Sequence, residues 1–274
     1  MKIALTGATG LVGRFIASEI TSAGDCLLPL SRPGYHLGAR PDLAGCDALV
    51  HCAFAHVPGR YRGGEGDDPE GFVRANLDGS HALFEAARKA AVRRVIFVSS
   101  RAVYGGHPPG TELNEALPPR PDTLYGQVKW QAEQALADMA SESFRPAVLR
   151  ATGVYGPGPA HKWQQLFAEF HAGQEIAPRR STELHGADLA RALRLLLASD
   201  ATGPFNASDI LLDRHDLLTR VARLTGTRHK PPAPSDAVVS VMRCDRLHAL
   251  GWRPSGFSGL AAALPAMVAD GPTG

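Results

Sequence analysis

The opening stretch constrains this chain more than any other. "KIALTG" (2–7) reads as a short apolar strand that breaks at glycine, and "LVGRFIASEITSAG" (11–24) sets Val12, Ile16 and Ile20 on one helical stripe that stops at Gly24. Between them, "TGATGLVG" (6–13) supplies Gly7, Gly10 and Gly13. A tight turn needs residues without Cβ, the backbone must come close to a pyrophosphate, and the following helix N-terminus offers free N–H groups and positive potential to the phosphates. A strand, such a turn and a helix in this order predict dinucleotide binding. The competing reading is a glycine turn used for packing alone.

The alternation continues. "CLLPLS" (26–31), "ALVHCA" (48–53), "RVIFVSS" (94–100) and "PAVLRAT" (146–152) are apolar runs, with helical patterns at 70–90 and 125–141 between them. Strand, helix and strand in turn predict an α/β fold, a doubly wound Rossmann-type parallel sheet covered on both faces. The stretch 32–46 between "LPLS" and "DALVH" is too short for a full helix plus a third strand in the order 3-2-1-4-5-6, so the third-strand region is expected to be shortened. Pro29 fits a strand at or near the edge. "HDLLTRVARLTG" (215–226) is one more amphipathic helix, followed by a short closing segment. The expected division is a dinucleotide-binding domain from 1–153 and 186–208, with a small C-terminal substrate lobe from 154–185 and 209–274.

Composition narrows the partners. With 274 residues, 44% apolar and 20% charged, the chain can bury a large core by itself. A net charge of +2 makes no strong field, and "RKAAVRR" (88–94) and Arg179-Arg180 are too short for a nucleic-acid face. No run approaches 18 apolar residues and the first 30 residues hold no continuous apolar segment, so no membrane span or leader is expected and the cytoplasm is the expected compartment. The four cysteines form no CxxC pair and the eleven histidines no zinc spacing, so no metal is expected.

Glycine and proline collect at 57–71, 104–123, 154–160 and 230–237. The first three follow predicted strands, at the carboxyl edge where open α/β sheets bind ligands. The residue that reads the adenosine ribose is expected at the end of the second strand. That end is Ser31-Arg32, with no carboxylate, and a guanidinium can fork onto a 2′-phosphate. NADP is favoured over NAD on Arg32, while an exposed turn arginine would leave NAD in place.

"LYGQVK" (124–129) puts Tyr125 and Lys129 on one helix face, one turn apart, where both reach a single cleft. Any long helix offers such pairs, and a structural surface pair is the alternative. The order of motifs argues for more. "TGATGLVG", "HCAFA" (51–55), "RANLDGSHALFEAAR" (74–88), "VSSRAVYG" (98–105), "LYGQVK", "LRATGVYGPG" (149–158) and "HGADLARAL" (185–193) follow the order and spacing of the extended short-chain dehydrogenase/reductases. Over most of its length the chain resembles this NAD-dependent epimerase/dehydratase family; the likeness is weak at 33–46 and after about 210.

The resemblance implies that Tyr125 is the acid/base, that Lys129 holds the nicotinamide ribose and lowers the phenol pKa, and that Ser100 binds the substrate oxygen. Ser99 is the rival hydroxyl, more suited to finishing the strand. It implies cofactor contacts at Gly7, Thr9, Gly10, Leu11, Val12, Gly13, Ser31, Arg32, Ala53, Phe54, Ala55, Tyr125, Lys129, Ala151, Thr152 and Val154, and substrate contacts at Ser100, Arg101 and Tyr155. Tyr104, His107, Trp163 and His185 fall in or beside the same loops, His185 in a structural hydrogen-bonding role. Asn76, an amide on an apolar stripe, is expected to pin a neighbouring loop. A free phenol titrates near pH 10, and adjacent positive charge is what brings phenolate toward neutrality.

Two departures limit the carry-over. The family's sugar-nucleotide 4,6-dehydratases carry an acidic pair after the catalytic hydroxyl residue, whereas this chain has Arg101-Ala102, so dehydration is not expected. The C-terminal lobe is also shorter than in sugar-nucleotide epimerases, which suits a smaller substrate, as in the uronate dehydrogenases of the family. The expected function is NAD(P)-dependent hydride transfer at a secondary alcohol or ketone of a sugar or sugar-like small molecule. The alternatives are a sugar-nucleotide 4-epimerase and a non-catalytic dinucleotide-sensing regulator. A homodimer through the YxxxK helix and its predecessor is implied by resemblance.

Overall fold

The structure is a computed structural model that describes residues 1–57 and 64–270. Part of the first glycine-rich loop, 58–63, lies outside the described residues.

The opening strand is β1 (Lys2–Thr6), and α1 (Gly13–Ser22) follows the glycine turn. Ile16 and Ile20 of the expected stripe are fully buried; each contributes about 1.5–3 kcal/mol of apolar burial. β2 (Cys26–Leu30) and β3 (Ala48–His51) come next, with no strand between them. The helical pattern expected at 70–90 is broken in its middle. α2 (Pro69–Val73) passes through a π-helical turn, Arg74–Asp78, into α3 (Gly79–Lys89). β4 (Arg94–Ser100) ends in a single 3-10 turn, Arg101–Tyr104, and α4 (Leu124–Asp138) leads to β5 (Arg145–Ala151).

Beyond that come β6 (Gly153–Tyr155), α5 (Gln164–His171), β7 (Arg180–His185), α6 (Gly186–Leu197), β8 (Gly203–Ala207), β9 (Ile210–Asp213), α7 (Arg214–Thr225), α8 (Asp245–Ala249) and α9 (Gly256–Ala269). The main sheet has six parallel strands in the order β2-β1-β3-β4-β5-β8. β2 is its edge, which accommodates Pro29, and among the described residues no third strand pairs with it on the outer side. β8, "GPFNA", carried no strong apolar signal.

Side-chain alternation along the strands divides the interior. Ile3, Leu5, Val50, Ile96, Val98 and Leu149 face α1 and α6, while Ala4, Leu49, Val95, Phe97 and Val148 face α3 and α4. Cys244, Leu247 and Trp252 close the first of these cores, and the Trp252 indole donates to the Asp188 carbonyl at 2.9 Å. A third cluster, built from Tyr155, Trp163, Phe167, Leu212, Leu218 and Leu260, sits beside a second sheet of order β6-β7-β9.

Because all six strands of the main sheet are parallel, the residues after β1, β2, β3, β4 and β5 emerge at one carboxyl edge. The chain runs from β1 outward to β2 and then returns to β3 on the other side of β1, so the switch point lies between β1 and β3, where such sheets open a ligand crevice.

Candidate active site

The glycine turn is a fitted piece of backbone. Gly7 has φ of +71°, and a Cβ there would stand 2.9 Å from the Ala53 nitrogen. The turn therefore packs directly on the segment after β3. Gly10 donates from its N–H to the Gly7 carbonyl at 3.0 Å, and Arg14 donates to the Gly10 carbonyl at 3.1 Å. No side chain caps the N-terminus of α1, so its leading N–H groups and positive end are offered to the crevice. Thr9 and Gly10 are exposed, with Leu11 and Val12 partly so.

The opposite wall is set by another glycine. Gly126 lies between Tyr125 and Lys129, and a Cβ on it would meet the Ala102 carbonyl oxygen at 2.6 Å. α4 can therefore start hard against the 3-10 turn that follows Ser100. Thr123 caps this start, accepting from Gly126 N–H at 3.1 Å, and Ser100 caps the 3-10 turn, accepting from Ala102 N–H at 3.1 Å. The fold thus brings Ser100 and the head of the Tyr125 helix to one place.

Lys129 is 3% exposed. Its Nζ donates to the Val98 carbonyl at 2.8 Å and lies over three rings: Phe54 at 4.3 Å, Phe97 at 4.6 Å and Tyr125 at 5.9 Å. Phe54 and Tyr125 meet edge to face at 5.0 Å. Burial pushes the Lys129 ammonium down to about 7, with the nearby Cys52 and Glu133 opposing the shift. The ammonium beside the phenol is therefore poised at neutrality.

The segment after β3 is held from behind. Asn76, in the π-helical turn, donates to the carbonyls of Ala55 (2.7 Å) and Phe72 (2.9 Å) and accepts from Ala55 N–H at 2.7 Å. The extra backbone residue in that turn aims the amide at the loop. His51 lies between Thr6 (2.7 Å) and Ser80 (2.9 Å). Ser80 gives its hydrogen to the Asn76 carbonyl, and Thr6 Oγ1 already accepts from Cys52 and Ala53, each at 3.1 Å. The chain of donors therefore makes His51 a neutral Nε2–H tautomer. Burial, with Lys129 adding to it, holds His51 down near 3.

Among the remaining expected residues, Ser31 is partly exposed and Arg32 exposed, directly after β2. Ala53 packs on the Gly7 turn, Phe54 lies against Tyr125 and Lys129, and Ala55 is held by Asn76. Ala151, Thr152 and Val154 end β5 and start β6, and all three are buried. Arg101 donates to the Ser240 carbonyl at 2.9 Å and so ties the cleft to the returning C-terminal segment. Tyr155 stands apart from the cleft. It is fully buried, stacked on Trp163 at 4.9 Å and edge-on to His185 at 5.2 Å, because its ring fills the third hydrophobic cluster. His185 caps α6 by accepting from Ala187 N–H at 3.3 Å. Tyr104 is buried, and His107 contacts the Pro118 carbonyl at 2.8 Å.

The residues present fit a dinucleotide. Neither Gly7 nor Gly13 has room for a side chain, α1 is uncapped, and the buried Thr152 hydroxyl at the same edge has no hydrogen-bond partner among the described residues. Three polar side chains, Glu133, Arg150 and His51, are buried near the site without having been singled out in the sequence. Each had a signal: Glu133 continues the four-residue spacing of Tyr125 and Lys129, and the other two interrupt apolar strands. No group of three metal-ligating side chains occurs among the described residues, and no helix there is long and apolar enough to cross a membrane.

Comparison with known proteins adds independent observations. The model of the NAD dependent epimerase/dehydratase family matches residues 3–208. A Stigmatella aurantiaca 4-hydroxy-2-methyl-3-oxo-4-farnesyl-3,4-dihydroquinoline-1-oxide ketoreductase is 31% identical over 177 residues, 57% of this chain and 51% of that protein. An Agrobacterium fabrum uronate dehydrogenase is 34% identical over 102 residues, 37% of this chain and 35% of the relative. The chain thus spans about half or less of the length of these two relatives. In fold, MoeE5 in complex with UDP-glucuronic acid and NAD superposes with a TM-score of 0.82 over 98% of both chains, at 24% identity. RMD from Pseudomonas aeruginosa, complexed with NADPH, gives 0.81 over 98% of both chains at 21% identity.

Proposed function

The chain belongs to the NAD-dependent epimerase/dehydratase family, and from that premise we propose that it is an NAD(P)-dependent oxidoreductase that moves a hydride at a secondary alcohol or ketone of a sugar or sugar-like small molecule. The observation that carries the reading is the juxtaposition on α4: the Lys129 ammonium lies 5.9 Å from the Tyr125 ring, at the edge where the glycine turn and Ser100 also emerge. A regulator that only senses dinucleotide has no need of this trio.

The glycine cradle and the α1 N-terminus would hold the pyrophosphate, Arg32 a 2′-phosphate, and Lys129 the nicotinamide ribose. When bound, the dinucleotide supplies the hydride acceptor or donor. Ser100 hydrogen-bonds the substrate oxygen. Tyr125 takes the hydroxyl proton in oxidation and returns it in reduction, and the Lys129 ammonium favours the phenolate form. Phe54, Phe97 and the Val98 carbonyl exclude water from the ammonium, so its charge acts on the phenol through a medium of low dielectric.

Arg32 favours NADP, and Arg101-Ala102 directly after Ser100 offers no acidic pair for dehydration. The uronate dehydrogenase relative supports a uronate, aldonate or polyol over a nucleotide sugar. A small lobe from 154–185 and 209–274 facing the dinucleotide domain, a homodimer through α3 and α4 and a cytoplasmic location complete the reading. The test is direct. The purified protein is titrated with NADP+ and NAD+, then screened with sugar acids, polyols and nucleotide sugars for absorbance of reduced nicotinamide. Net accumulation supports dehydrogenation, and interconversion of nucleotide sugars without it supports epimerisation. Tyr125→Phe should keep dinucleotide binding and lose turnover by about two orders of magnitude or more; unchanged turnover removes Tyr125 as acid/base.

A further inference from the structure

The helix that carries Tyr125 and Lys129 presents a third polar side chain four residues further on. Glu133 is buried, and strands β4 and β5 both grip its carboxylate. Ser99 donates to Oε1. Arg150, the register neighbour of Ser99 across the two strands, donates from Nε to Oε2 at 3.0 Å and from Nη2 to Oε2 at 2.6 Å.

The network continues through Arg150. Its Nη1 donates to the Tyr104 hydroxyl, and its guanidinium lies 4.9 Å from that ring. The Tyr104 hydroxyl reaches the Asn206 side-chain oxygen at 3.2 Å and the Asn114 carbonyl at 3.1 Å. Asn206 donates in turn to the Leu113 carbonyl at 3.2 Å. One connected set of polar groups thus joins α4 to β4, β5, β8 and the loop after the 3-10 turn. Apolar residues could hold a helix on a sheet without the desolvation cost of a buried ion pair. What the pair adds is a fixed register.

We propose that Glu133 is a positioning residue for the Tyr125–Lys129 pair: clamped by Ser99 and Arg150, it fixes the rotation of α4 against β4, sets both groups opposite Ser100, and supplies the anion one turn beyond the ammonium. The proposal rests on the reading of Tyr125 as acid/base. Other polar groups face the ammonium too, namely Tyr125 on α4 and His51 and Cys52 at the end of β3, with Arg150 beyond Glu133 on β5. His51 is neutral, so Glu133 and Arg150 are the fixed charges behind it.

The test uses the full chain with NADP+ and D-glucuronate as the probe substrate, together with nitrogen-15 NMR titration of the Lys129 ammonium. Glu133→Gln removes the anion and leaves the Arg150 charge uncompensated, and both effects disfavour the ammonium. The variant should keep NADP+ affinity within about threefold, lower turnover about tenfold or more, and move the Lys129 midpoint down by about one unit. Ser99→Ala keeps both charges; it should lower turnover several-fold with the midpoint in place. Should Glu133→Gln fold poorly, the double variant Glu133→Gln/Arg150→Met strands no charge and should show the same turnover loss. Unchanged turnover per folded molecule with an unchanged midpoint overturns the proposal. Tyr125→Phe, run alongside, separates the two ideas, because full turnover there overturns the acid/base reading instead. If the wild type leaves D-glucuronate unoxidised, that substrate fails and the NMR midpoint alone decides the role of Glu133.

Discussion

Gly13 opens α1 so close to Gly7 that a Cβ on Gly13 would stand 2.0 Å from the Gly7 carbonyl oxygen. No rotamer relieves such a contact, because both partners are backbone. Gly13→Ala should therefore displace α1, costing about 2–3 kcal/mol, and weaken dinucleotide binding about tenfold or more. Gly24→Ala is the control. That glycine has φ of +77° with nothing near its absent Cβ, so the variant should lose about 1 kcal/mol and bind dinucleotide normally. Urea unfolding and calorimetric titration of both variants check the pair.

Asn76 bridges the π-helical turn to the segment that packs on Gly7. Asn76→Ala removes both of its bonds to Ala55 and the one to Phe72. Because Ala55 is exposed and can turn to water, a loss of about 1–3 kcal/mol is expected, with faster amide exchange at Ala55 and weaker dinucleotide binding. Hydrogen exchange at Ala55 that matches the wild type would show that the loop is held by other contacts.

Acid should find the protein through His51. Its folded pKa, near 3, lies below the ordinary histidine value of about 6.5. Between these values the unfolded chain binds the proton and the folded chain does not, so stability is full above about pH 6.5 and falls as pH drops toward 3. At pH 5 the loss from this group is about 2 kcal/mol. His51→Gln should be less stable at neutral pH but show a flatter decline between pH 7 and 5 in urea titrations.

Arg32, exposed just beyond β2, is the group that we propose reads the dinucleotide. Arg32→Ala should raise the NADP+ dissociation constant about tenfold, as expected for loss of one charge-assisted phosphate contact, with NAD+ binding changed less than twofold. Equal effects on both cofactors would leave Arg32 as a surface turn residue.

The sequence by itself determined the α/β alternation, the glycine turn, the edge position of β2 and the helix carrying Tyr125 and Lys129. These features are local. Apolar period, missing Cβ atoms and short connections act within a few residues of where they are read. Tertiary structure decided what those elements enclose. Only packing shows that Tyr155 belongs to the third hydrophobic cluster, that Asn76 sits in a π-helical turn aimed at Ala55, and that Ser99, Glu133 and Arg150 form one buried network. Arg150 and His51 look misplaced in their apolar strands until partners distant in sequence neutralise or satisfy them. A buried charge or imidazole is tolerable only through groups brought by other elements, and their arrangement exists only once the sheet has closed.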